Sequence, residues 1–167
     1  NSGQRAAMGA GFKAARGAVV ITMDADGQND PADIPRLLEG LREADVCCGY
    51  RVNRQDTAGK RWGSRLANAV RRAMLNDGII DTGCTLKAFK STLVRDLPMQ
   101  FRGMHRFLPA LVQMQGARIV QIPVNHRQRA AGASKYTNLG RLRQTIGDLR
   151  AVRWMQTRHR RFTVSDA

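Results

Sequence analysis

Two carboxylates separated by one residue, Asp24 and Asp26, follow directly on the apolar run Ala18-Val19-Val20-Ile21-Thr22-Met23 and precede Gly27 and Gln28. The β-branched centre of that run, with Gly17 before it, marks a buried strand. Carboxylates leaving the carboxyl end of such a strand point into the crevice where open α/β sheets bind ligands. Two hard oxygen donors beside an amide suit Mg²⁺ or Mn²⁺, which favour carboxylates together with substrate phosphates. Asp24, Asp26 and Gln28 are therefore candidate metal ligands, and an ion there would neutralise a diphosphate leaving group. The competing account is a turn whose acids cap the next helix. It suits Asp30, an N-cap before Pro31, with Asp33 where a capping-box acid falls.

Phosphate chemistry has two further candidate sources. The stretch around Arg129, Gly132, Ser134, Lys135 and Tyr136 combines cationic and hydroxyl donors with a glycine, and could close over phosphates or simply be a solvated loop. Arg51, Arg54, Lys60, Arg61 and Ser64 form the second group. Lys60 and Ser64 are neighbours on a helical face and could hold an acceptor phosphate, or belong to a solvated helix start. His105 and His126 have no Ser or Cys nucleophile pattern around them, which favours capping or support of neighbouring groups over a triad. Asp81, before Thr82-Gly83, is either a turn residue or points into the site.

The elements that must position these groups alternate. Spacing predicts helices over 5–16, 32–43 and 60–75, the last turning Trp62, Leu66, Ala69, Val70 and Met74 inward. Strands are expected over 18–23 and 46–50, and from the 79–84 turn through Phe89. Ser91 is expected to cap a short helix over 92–97. Another helix is expected over 105–115, interrupted at Pro109. A strand over 119–124 contains Pro123, which places it at an edge or a strand end. The last helix, about 139–157, carries Leu142, Ile146, Leu149, Val152 and Met155 on one face. Alternating helices and strands predict an α/β fold, a doubly wound sheet.

Composition narrows the partners. The chain has 167 residues and a net charge of +15, enough for one domain with a real core and an anionic partner: nucleic acid, anionic lipid or phosphorylated substrate. Cys47, Cys48 and Cys84 make neither a disulfide framework nor a zinc spacing, so a cytoplasmic setting is expected. No apolar run approaches ~18 residues. From Arg141 onward seven arginines face two aspartates. A helix with one apolar face and flanking arginines can lie on anionic lipid, with Trp154 at the interface. The chain begins at Asn1 and almost at once enters a helix, so the first strand of an α/β unit is expected to be missing.

Several short motifs stand in a recognisable order: Asn1-x-Gly3-Gln4, Asp24-Ala25-Asp26-Gly27-Gln28-Asn29-Asp30-Pro31, Gly49-Tyr50-Arg51, Asp81-Thr82-Gly83-Cys84, His105-Arg106-Phe107-Leu108-Pro109, and Arg129-x-x-Gly132-x-Ser134-Lys135-Tyr136. Together they resemble a family 2 glycosyltransferase of GT-A fold, of the dolichol- or polyprenyl-phosphate mannosyltransferase type. The resemblance implies a Rossmann-like, mostly parallel sheet flanked by helices, here incomplete at its N-terminus. Residues 1–137 would be the partial catalytic domain, and 138–167 a basic amphipathic helix and tail. It further implies inverting, metal-dependent transfer of a hexose, expected to be mannose, from GDP-mannose or a UDP-sugar to a polyprenyl phosphate. Asp24, Asp26 and Gln28 would hold Mg²⁺ or Mn²⁺; Arg129, Ser134 and Lys135 would contact the donor diphosphate; Arg51, Lys60 or Arg61, and Ser64 would receive the acceptor phosphate. Asp24, Asp26, Arg129 and Lys135 are the expected catalytic groups. A phosphate acceptor is already ionised, so no strong general base is needed. The expected place of work is the cytoplasmic face of a membrane, peripherally bound. The rival accounts are an inactive remnant and a basic nucleic-acid-binding protein; the latter leaves the acidic loop unexplained and lacks interleaved aromatics.

Overall fold

The computed structural model describes residues 3–52, 58–127 and 138–160; for 58–62, 64 and 138–144 it describes the backbone alone. Helices α1 (Gly3–Ala14), α2 (Ile34–Gly40), α3 (Ala58–Leu75), α4 (Leu108–Met114) and α5 (Asn138–Arg158) flank one sheet. Its strands are β1 (Val19–Thr22), β2 (Val46–Arg51), β3 (Lys87–Lys90) and β4 (Ile119–Val124), in the order β1-β3-β2-β4.

The sheet is mixed rather than mostly parallel by pairing. β3 is antiparallel to both β1 and β2, and β2 is parallel to β4. It follows that β1, β2 and β4 share one direction and β3 alone is reversed. The cause lies just ahead of β3: Asp81 contacts Arg51 at the carboxyl end of β2, so the chain is still at that edge when β3 begins and must run back. The carboxyl ends of β1, β2 and β4 consequently open on the same edge.

Alternation along β2 builds two cores. Val46 and Cys48 face one layer with Phe12, Phe89, Leu111 and Val152, while Cys47 faces the other with Leu37, Leu86 and Val124. All three cysteines are free thiols, and burial pushes Cys47 up to about 11 and Cys48 up to about 12. They stay protonated and unreactive at neutral pH. β4 is an edge strand, as Pro123 requires, since that residue brings no N–H to a second neighbour.

Several local expectations change. Asp30 does cap, accepting the Ala32 N–H at 3.1 Å, but Pro31–Asp33 is a 3₁₀ turn and α2 is shorter than 32–43. Pro109 lies in the first turn of α4 and starts that helix rather than interrupting it, while His105 sits in the preceding 3₁₀ turn. Ser91 is not the N-cap, a position Lys90 takes; it opens a three-residue 3₁₀ turn, and its N–H donates to Ala18 O. In α3, Met74 packs on the core as expected, but Leu66 and Val70 face solvent, 66% and 45% exposed, and Arg71 and Leu75 complete the anchor near the helix end. In α5, Leu149 and Val152 join the main core as expected, while Ile146 is 39% exposed.

Candidate functional site

Asp24 leaves β1 at the shared carboxyl edge, half-buried, and its carboxylate has no hydrogen bond or ion pair among the described residues. The rest of the acidic loop is braced. Asp26 Oδ1 accepts the Gln28 N–H at 3.1 Å across Gly27, whose φ of +77° suits glycine. Asn29 Nδ2 donates to Thr85 Oγ1 at 2.9 Å, and Thr22 Oγ1 donates to Thr85 O at 2.7 Å.

On its other side the loop is fastened to the segment that follows β4. Arg127 N–H donates to Gln28 O at 2.9 Å, and Asn29 forms an antiparallel bridge with His126. Asn125 N–H donates to Asp33 Oδ2 at 2.7 Å, and Arg127 pairs with Asp30 at 2.7 Å. The Ala32 N–H, foremost, and the Arg127 guanidinium hold the Asp30 carboxyl below its usual range. Asp33 is therefore no capping-box acid. It is a buried tie between α2 and β4.

The donor set fits a hard divalent ion. Two carboxylates and an amide oxygen leave coordination positions for phosphate oxygens and water, as Mg²⁺ and Mn²⁺ prefer. Among the described residues no group of three or more His, Cys, Asp and Glu side chains forms a closed cage. Any ion here would share its ligands with substrate.

A second polar centre lies at the end of β2. Arg51 Nε and Nη2 donate to Asp81 Oδ2 and Oδ1 at 2.7 and 2.9 Å, a bidentate pair that is 15% and 8% exposed. Gly83 makes room for it, since a Cβ there would meet Arg51 Nη2 at 2.7 Å. Asp81 holds Arg51, and its Oδ1 also accepts the Gly83 N–H at 3.1 Å, so it is the turn residue of the two sequence alternatives. Lys60, Arg61 and Ser64 fall in the first two turns of α3 on backbone grounds, with side chains outside the described residues. Arg129, Ser134 and Lys135 also lie outside them.

Three groups carry signals that sequence spacing did not convey. Lys87 is 4% exposed and donates from Nζ to Cys84 O, placing a buried ammonium at the site edge of β3. His126 touches Gln28, with Nε2 atoms 3.4 Å apart. His105 is half-buried, and burial, then Arg106, hold its imidazole below the usual pKa although Asp148 and Asp24 pull the other way. A cleft of about 530 Å³ runs along α1 and β1 to Asp24, lined in part by Ala7, Gly11, Phe12, Val20 and Thr22.

Comparison with known proteins agrees with this geometry. The family model for glycosyl transferase family 2 matches residues 1–98. An undecaprenyl-phosphate 4-deoxy-4-formamido-L-arabinose transferase of Pseudomonas fluorescens (strain SBW25) is 43% identical over 138 residues, covering 82% of this chain and 40% of the relative. The protein of the same name from Pseudomonas aeruginosa (strain LESB58) is 40% identical over 150 residues, 89% of this chain and 44% of that one. The chain thus spans less than half the length of these curated relatives. With an acidic loop at a strand end and a mixed α/β sheet behind it, the chain belongs to the family 2 glycosyltransferases.

Proposed function

We propose that this chain carries the metal- and acceptor-facing part of an enzyme that moves a sugar from a nucleotide-sugar to a polyprenyl phosphate, with inversion. The observation that carries the reading is the shared edge: Asp24 and the clamped Arg51 leave parallel-running strands on the same side of the sheet. One end suits a metal-bound diphosphate, the other an acceptor phosphate. Asp24, Asp26 and Gln28 would hold Mg²⁺ or Mn²⁺, which when bound offsets negative charge on the departing diphosphate. The chain's own residues position the two anions, and Arg51, fixed by Asp81, cannot swing away. Arg129, Ser134 and Lys135 remain the proposed donor-phosphate contacts, and Lys60, Arg61 and Ser64 the proposed companions of Arg51.

The names of the relatives favour a formamido-arabinose over the mannose expected from motifs alone. The test is incubation with undecaprenyl phosphate, Mg²⁺ and either the UDP-linked formamido-arabinose or GDP-mannose, followed by chromatography of the lipid. Lipid-linked formamido-arabinose is expected; product from GDP-mannose alone would restore mannose. A second reading, that this chain by itself is a poor or inactive enzyme, is favoured by β1, which among the described residues pairs on one side only. Micromolar nucleotide-sugar binding by calorimetry would sink that reading.

Peripheral attachment to an anionic membrane surface belongs to the same proposal, with its contact face moved. The buried Leu149 and Val152 commit the stripe of α5 to the core, whereas α3 exposes Leu66, Ala69, Val70 and Ala73 beside Arg65 and Arg72. No helix among the described residues is long and apolar enough to cross a membrane. An amphipathic face with cationic flanks suits the headgroup boundary. The double variant Leu66→Glu/Val70→Glu is expected to lower co-sedimentation with phosphatidylglycerol vesicles about tenfold or more, given ~1.5–3 kcal/mol per buried aliphatic side chain. Equal recovery of the unaltered chain on anionic and neutral vesicles would remove the electrostatic part.

A further inference from the structure

We propose that Lys87 supplies the fixed positive charge that draws phosphate oxyanions to the shared edge, between the Asp24 and Arg51 ends of the site. The inference rests on the reading of that edge as the place where substrate phosphates bind. Six charged residues are buried among the described ones: Asp30, Asp33, Arg71, Asp77, Asp81 and Lys87. Five have an ion partner within the chain, since Asp30 pairs with Arg127, Asp33 with Arg36, Arg71 with Asp77, and Asp81 with Arg51. Lys87 has none among the described residues; its ammonium donates to the carbonyl oxygen of Cys84. That carbonyl meets one of three N–H groups and none of the charge. A buried charge without a counter-charge is costly, and an anion from outside the chain would offset it.

Strand register fixes where this charge sits. Lys87 opens β3 and stands opposite Thr22 of β1 and Cys48 of β2. It lies between the two strands that deliver Asp24, two residues beyond Thr22, and Arg51, three beyond Cys48. The stretch from Asp81 to Lys87 is tied to both ends of the site. Asp81 clamps Arg51, while Thr85 accepts from Asn29 and from Thr22. Lys87 closes the same stretch through Cys84 O, so its ammonium is in place before any ligand arrives. At 4% exposure it acts through its field rather than by contact, in surroundings that screen less than water. The Arg51 charge is matched by Asp81, and Asp24 and Asp26 add negative charge. Of these groups, Lys87 alone has positive charge left over for an anion.

The test measures binding of UDP and of inorganic phosphate by calorimetry, without added metal, to the unaltered chain, Lys87→Met and Lys87→Arg. UDP stands for the donor diphosphate and inorganic phosphate for the acceptor phosphate. Lys87→Met should weaken one or both about tenfold or more, and Lys87→Arg, which keeps the charge, should retain most of the affinity. A loss for UDP alone assigns the charge to the donor; a loss for phosphate alone assigns it to the acceptor. Urea unfolding of ligand-free Lys87→Met should show no loss of stability, because the variant removes a buried charge that has no partner. In the unaltered chain the Lys87 Nζ resonance should shift when either anion is added, a reading that stands even if a variant fails to fold. Unchanged affinity for both anions in Lys87→Met would overturn the inference, as would an Nζ resonance unmoved by saturating anion. An unaltered chain that binds neither anion would overturn the reading of the edge, and the inference with it.

Discussion

Replacing Asp77 with alanine is expected to destabilise the fold by about 3–5 kcal/mol, the usual effect of stranding a buried charge. Arg71 and Asp77 pair with side chains only 6% and 1% exposed. Arg71 also donates to Ile79 O, while Asp77 Oδ1 accepts the Ile79 N–H at 3.2 Å and Gln113 Nε2 donates to Asp77 O at 3.0 Å. Without the carboxylate, the guanidinium stays in the core with its carbonyl partner alone. The apolar double change Arg71→Met/Asp77→Leu should recover most of the loss, because neither half then carries a buried charge. Asp45→Ala is the control. Its partner Lys90 is half-exposed, and such pairs are worth about 0–1 kcal/mol. Urea unfolding reads all three, and a loss below about 1 kcal/mol for Asp77→Ala would refute the argument. The pair also has a functional position, since it closes the turn that leads from α3 to Asp81 and so to Arg51.

The elements nearest to strong local signals were legible in the sequence. Met23 and Asp24 mark the end of β1 because apolar β-branched residues stop there and acids begin; the Asp30-Pro31 cap needed only adjacent residues. Direction was harder. Nothing in Lys87-Ala88-Phe89-Lys90 says which way the strand runs, and the reversal of β3 depends on a contact thirty residues apart in sequence, between Arg51 and Asp81. The α3 face illustrates a different limit. Leu66 and Val70 have helical spacing, and an apolar stripe implies a partner without naming it. The core takes Leu75 and the aliphatic surroundings of Arg71 instead, so the stripe is left outside.

At the site, spacing found the two carboxylates but not what secures them. The capping-box arithmetic for Asp33 was sound local chemistry that a tertiary bond overrode, because Asn125 N–H at the end of β4 offers a better partner. His126 offered a readable hint: a histidine at a strand end, directly before the basic stretch, has little reason to be there unless it meets a polar group. Lys87 gave none. A lysine in a short strand reads as a surface residue, and only the closure of β1, β3 and β2 around it buries it.

Asp24→Asn should abolish most ion-assisted nucleotide binding while leaving the fold intact. The side chain is isosteric and has no hydrogen bond to lose among the described residues, only the smallest of the electrostatic pulls on His105, so its stability should stay within about 0.5 kcal/mol. Affinity is another matter. A bound divalent ion supplies several kcal/mol of charge stabilisation, and removing one of its two carboxylates is expected to cost about 10²–10³-fold. Asp26→Asn should differ in kind. Its oxygen also accepts the Gln28 N–H, a role asparagine can keep, so the loop should hold while the negative charge is lost. Calorimetry with UDP, run with and without Mn²⁺, separates the effects: the Mn²⁺-dependent part of UDP binding should collapse in Asp24→Asn, and the Mn²⁺-independent part should be unchanged. If Asp24→Asn retained the full Mn²⁺ dependence, the ion would have to sit elsewhere, and the Asp24 carboxylate would be only the polar end of a strand.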